Sequence, residues 1–134
     1  EILMKNATLL ALCFGYLGAA QAQPAPRHVI GTVNNYTCMM LQLTDAQRMD
    51  FNHPPQFKAA PTDDAADAGM MPNQVAVATG AEPQNGYVEA MNFAGRLVWV
   101  PTRLLAPYHA KADPTAQCRV VKYSDGKYGF RYDH

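Results

Sequence analysis

Catalytic nucleophiles and metal ligands are scarce in this sequence of 134 residues. It has one serine, Ser124, in the turn-like run Ser124-Asp125-Gly126. A nucleophilic serine needs a base held beside it, and this one reads as a turn residue. Neither Cys38 nor Cys118 has a C-x-x-C partner, which removes the sequence basis for a dithiol redox site or a cysteine-bound zinc. His28, His53, His109 and His134 lack the i, i+4 or H-x-H spacing that sets two imidazoles on one face, so no metal site is expected. Asp63, Asp64 and Asp67 lack the distal glutamate of an EF-hand loop. They read as a solvated loop whose carboxylates could also capture a ligand. There is no glycine-rich phosphate loop, and no cofactor is expected. The formal net charge of zero argues against a nucleic-acid binder or a polybasic membrane-surface protein. Together these absences favour a non-enzymatic protein.

What is present begins with an export signal. Met4 reads as an initiator and is followed by Lys5, an apolar run from Ala7 to Leu17, and Gly18-Ala19-Ala20-Gln21-Ala22. That is the n-region, h-region and A-x-A cleavage pattern of a signal peptide over residues 4–22, with the mature chain starting at Gln23. The run is short of the roughly 20 apolar residues a bilayer requires, so no membrane span is expected after cleavage. An uncleaved N-terminal anchor is the alternative. Leu12 occupies the position where a lipobox before Cys13 would carry a small residue, which argues against lipidation. Cleavage removes Cys13 and leaves Cys38 and Cys118, an even count that in a small exported domain reads as a disulfide. The expected location is therefore periplasmic or secreted.

Along the chain, Pro24 and Pro26 mark a flexible lead-in. Segments 28–33 and 36–43 are apolar enough for strands, although Cys38-Met39-Met40-Leu41 could equally open a helix. Thr44 with Gln47 offers a capping box for a short helical turn over 46–51, which Pro54-Pro55 ends. The small, acidic, aperiodic run 59–72 reads as an exposed loop. Period-two patterning then predicts strands around Val75 and Val77, over 87–92, and over 97–100. Asp125-Gly126 between the alternating runs 118–123 and 127–132 is the strongest hairpin signal. Five to seven short strands with regular turns predict a mostly β protein, a small antiparallel barrel or sandwich.

The pieces Ala60-Pro61-Thr62, Val75-Ala76-Val77, Gly86-Tyr87-Val88, Gly95, Trp99-Val100-Pro101 and Leu104-Leu105 follow one another over about fifty residues. In order and spacing this stretch, 57–107, resembles a bacterial SH3-like (SH3b) domain, with Val98 standing where the family usually has glycine. The resemblance implies a five-stranded SH3-like barrel, an RT-like loop near Pro61 to Pro72, and binding of cell-wall peptides or other partners. On this reading 23–56 is a linker and N-terminal extension, and 108–134 is an extra C-terminal hairpin packed on the barrel. The extension and hairpin, tied by Cys38–Cys118, could cover the family's groove.

Aromatic faces with polar tips suit peptide and glycan surfaces. The expected ligand site therefore comprises Tyr87 and Trp99 with Asp63 and Asp64 of the acidic loop, although Trp99 in its apolar run also reads as core. Two functions follow as expectations. One is an exported SH3-like module that binds a peptide, cell-wall fragment or envelope component. The other is a structural or inhibitory protein dedicated to one envelope protein, docking through an exposed strand edge. Charge is also uneven. Between Asp45 and Glu89 seven acidic residues stand against Arg48 and Lys58, a balance of −5, whereas from Arg96 onward seven basic residues face three acidic ones, a balance of +4. The simplest expectation is that the two segments neutralise each other on folding.

Overall fold

The computed structural model describes residues 25–134, so the signal peptide expected at 4–22, with Cys13, lies outside the described residues. The described chain is mostly β and forms two antiparallel sheets. Its strands are β1 (Val29–Thr32), β2 (Tyr36–Leu41), β3 (Gln56–Lys58), β4 (Asp67–Met70), β5 (Gln74–Ala78), β6 (Tyr87–Met91), β7 (Leu97–Pro101), β8 (Leu105–Pro107), β9 (Gln117–Tyr123) and β10 (Tyr128–Asp133). One sheet has the order β1-β9-β10 and the other β4-β3-β7-β6-β5-β2-β8. Among the described residues no helix is long and apolar enough to cross a membrane.

The expected closed barrel is corrected: hydrogen bonding runs from β4 to β8 as an open sheet. The sheet is nevertheless strongly curled. Strands of a flat sheet lie about 4.8 Å apart, so β7 and β8, four places apart in the order, would be separated by about 19 Å. Only the 3-10 turn Thr102–Leu104 joins them, and at about 2 Å per residue it reaches less than half that far.

Alternation explains the core. Val75 and Val77 of β5, Val88 and Ala90 of β6, and Val98 and Val100 of β7 face inward and pack with Phe57 and Met71. The register Val88↔Val100 and Ala90↔Val98 stacks these side chains across strands, where cross-strand contact is closest. On the opposite face Cys38, Ala76 and Met91 pack with Val120 from the small sheet. β5 is thus covered on both faces, which explains its three consecutive buried residues.

Several local expectations hold. Thr44 caps helix α1 (Asp45–Met49): its Oγ1 accepts from the Gln47 N–H at 3.2 Å, and the Gln47 side chain accepts from the Thr44 N–H at 2.9 Å. Gly126, at φ 84°, closes the β9–β10 hairpin by donating to the Tyr123 carbonyl at 3.0 Å. Ser124 is a turn residue whose hydroxyl accepts from the His28 N–H at 3.1 Å, pinning the start of β1. The Cys38–Cys118 disulfide is present, with Cα atoms 6.0 Å apart, and it staples β2 of the large sheet to β9 of the small one.

Two segments were less legible. Of the two readings open for 36–43, the strand is the one that forms, and β2 lies between β5 and β8 in the large sheet. The Cys38 contact with Met91 and Val120 gives the segment a buried face that periodicity alone did not reveal. The run 59–72 is not wholly loop: β4 returns to pair with β3, because Met71 donates to the Pro55 carbonyl at 2.9 Å and Ala59 to the Ala66 carbonyl at 2.9 Å.

Candidate functional site

A groove of about 700 Å³ is lined by Lys58, Asp63, Asp67, Tyr87, Pro101 and Arg103, with Pro54 and Pro55 beside them. Phe57 points into the core, so alternation along β3 turns Lys58 to the opposite face. There Nζ donates to Asp67 Oδ1 at 2.8 Å and to the Ala65 carbonyl at 3.3 Å. The Asn85 amide donates to the Pro61 carbonyl at 3.2 Å, and the Thr102 N–H and hydroxyl both donate to the Gly86 carbonyl. These bonds fasten the acidic loop to β3 and to the start of β6, and the start of β6 to the end of β7.

The result is that Tyr87 and Asp63, far apart in sequence, meet: the Tyr87 hydroxyl donates to Asp63 Oδ1. The Tyr87 side chain is buried. Its hydroxyl is held above the ordinary tyrosine range, first by the hydrogen bond to Asp63, then by burial and by the Asp63 charge, with Arg103 opposing. A raised folded-state value contributes stability that is present below the unfolded tyrosine pKa of about 10 and is lost as pH rises through the folded value. Tyr87 therefore remains a hydrogen-bond donor at neutral pH. Burial similarly pushes the Tyr132 hydroxyl up, reinforced by Tyr108 and Tyr123. In a spectrophotometric tyrosine titration, Tyr87 and Tyr132 are expected to ionise last, and Tyr87→Phe should remove one late component. Loss of an early component instead would contradict this placement.

The other expected site residues are placed differently. Trp99 is half-buried on β7 and pairs in register with Glu89 and Lys58, two pairs along from Tyr87↔Pro101. Its strand neighbours Val98 and Val100 point into the core, so Trp99 faces the opposite way, yet it does not line the groove. Asp64 is exposed and also lies outside the lining. Lys58 and Arg103 belong to the groove without having been singled out from sequence, whereas Asp67, read there with the acidic loop, does line it. The available signal was the period-two placement of Lys58 beside buried Phe57 and of Arg103 just after β7.

Among the described residues no group of three or more histidine, cysteine or acidic side chains is arranged to hold a metal. The charge segments do not neutralise each other through close pairs. Each ion pair among the described residues stays within its own segment: His53–Asp50 and Lys58–Asp67 in the acidic one, and Arg119–Asp133, Arg131–Asp133 and His134–Asp113 in the basic one. The small sheet thus retains a basic surface. Comparison with protein-family models, curated proteins and solved structures gives no match to this chain.

Proposed function

We propose that this chain is an exported, non-enzymatic SH3-like binding module that recognises a peptide, cell-wall fragment or other envelope component. The observation that carries the reading is the Tyr87–Asp63 pair set into a groove that also holds Lys58, Asp67 and Arg103. A groove with carboxylates, cations and a buried tyrosine suits a ligand bearing both free amines and carboxylates, as short wall peptides do. Support for the SH3-like reading comes from five antiparallel strands, β2 and β5 to β8, of which the last returns to pair with the first. The export reading is supported by the pattern at 4–22 and by the disulfide, a bond of oxidising compartments.

The test is retention of the oxidised chain on purified peptidoglycan and on short wall peptides, with Tyr87→Phe and Asp63→Asn as variants. Both substitutions keep the side-chain shape while removing the hydroxyl donor or the charge. Wild-type retention that falls roughly tenfold in each variant, about 1.4 kcal/mol of binding, is the expected result. Retention unchanged in both variants overturns the assignment of the groove.

A further inference from the structure

The two sheets have four outer strands: β4, β8, β1 and β10. Unpaired backbone groups on such edges template pairing with another chain, and proteins usually blunt them with bulges, proline or brevity. Three of the four are blunted here. β8 has three residues and ends in Pro107, β4 has a register shift between Gln56 and Lys58 of its partner, and β1 has one between Val29 and Gly31. β10 alone runs six residues in unbroken register, from Tyr128↔Lys122 to Asp133↔Gln117.

The direction of its free groups follows from the hairpin. The Tyr123 N–H donates to the Lys127 carbonyl at 2.8 Å, which makes that a hydrogen-bonded pair. Such pairs alternate in an antiparallel ladder, so Gly129 and Arg131 bond to β9 while Tyr128, Phe130 and Tyr132 direct N–H and C=O outward. Tyr128 confirms the geometry by donating outward to the Phe93 carbonyl at 2.8 Å. That bond occupies the start of the edge and leaves Phe130 and Tyr132 to offer their backbone groups.

The two sides of this edge differ in chemistry. On one side lies an apolar cleft of about 250 Å³, walled by Met70, Phe93 and Phe130 and floored by Ala76, Met91 and Val120. Met70 and Phe93 are 66% and 47% exposed, so apolar surface faces water at its mouth. On the other side Arg119 and Arg131 stand directly opposite each other and share one carboxylate, Asp133, at 2.8 and 3.1 Å. The Arg27 guanidinium lies 4.2 Å from the Tyr123 ring centroid, and among the described residues neither Arg27 nor Lys127 forms an ion pair. This side therefore carries uncompensated positive charge.

We propose that the free edge of β10 is a docking site for an extended peptide segment of a partner protein in which apolar and acidic residues alternate. Successive side chains of an added strand point to opposite faces. Apolar ones enter the cleft beside Phe130, while acidic ones meet Arg131 and Lys127. Backbone bonds to Phe130 and Tyr132 supply affinity, and the two unlike faces supply specificity.

The test uses the full oxidised chain and a short blocked peptide of alternating leucine and glutamate, with the leucine–lysine peptide as comparison. The expected result is at least about tenfold tighter binding of the glutamate peptide, with slowed hydrogen exchange at the Phe130 and Tyr132 amides. Met70→Asp is expected to weaken binding. Lys127→Glu, at an exposed position that does not threaten folding, should narrow the preference by about two- to fivefold. Tyr87→Phe should leave this binding unchanged, which separates it from the Tyr87 groove. Equal affinity for both peptides, unprotected amides at Phe130 and Tyr132, or self-association through β10 in place of peptide binding overturns the proposal.

Discussion

Reduction of the Cys38–Cys118 bridge is expected to remove about 4 to 5 kcal/mol of stability, the chain-entropy value for a loop spanning a sequence separation of 80 residues. A small domain is stable by only about 5–15 kcal/mol, so this loss is a large fraction of the total. The bond also does something that a loop-closure argument does not capture. The two sheets share no strand, and the disulfide joins β2 to β9 at the centre of the small packed cluster of Cys38, Ala76, Met91 and Val120. Separation of the sheets should therefore precede loss of the larger core. Urea unfolding of the oxidised chain and of a Cys38→Ser/Cys118→Ser variant, followed by far-ultraviolet circular dichroism and by fluorescence of the single tryptophan, measures both effects. A variant within about 1 kcal/mol of the parent would show that packing alone holds the sheets together.

Phe57→Ala is expected to cost about 3–5 kcal/mol, the usual range for deleting a buried phenylalanine. Phe57 is 3% exposed and is the residue by which the three-residue strand β3 packs into the large-sheet core. The functional consequence is greater than the loss of one core side chain. Lys58 on the opposite face of β3 holds Asp67, and β3 carries β4 and the acidic loop. Releasing Phe57 should detach that hairpin and with it the Asp63 contact to Tyr87. The variant is thus expected to lose both the core's stability and the raised Tyr87 ionisation, whereas Tyr87→Phe removes the second and only the smaller share of stability that the Tyr87–Asp63 hydrogen bond supplies. Denaturant midpoints and tyrosine titrations on the two variants distinguish these outcomes. An unfolding free energy lowered by less than about 1 kcal/mol would mean that the site collapses around the cavity.

Much of the fold was legible because its signals are local. The capping box at Thr44 and Gln47, the Asp125-Gly126 hairpin turn and the valine alternation of β5 each involve residues a few positions apart. The disulfide was legible for a different reason: with Cys13 falling in the expected signal peptide, only one pairing remained. The strand at 36–41 was ambiguous because β2 is covered on parts of both faces, and a strand without clean alternation resembles a helix opening. β4 was missed because its residues, Asp67-Ala68-Gly69-Met70, have little strand propensity, and pairing with β3 overrides that.

The candidate site divides in the same way. Tyr87 and Asp63 could be named from residue chemistry, but their meeting depends on a loop fastened by Asn85 to Pro61 and by Lys58 to Asp67. Trp99 and Asp64 carry the same chemistry and lie outside the groove. The sequence by itself determined the strand-rich character, the turns, the capped helix and the cysteine pairing, because periodicity and turn chemistry act over a few residues. Only the tertiary structure decided that the large sheet stays open, which carboxylate reaches Tyr87, and that β10 is left as an unblunted edge between an apolar cleft and a basic face. Those features depend on strand order and curvature, and both are fixed by contacts between residues far apart in the chain.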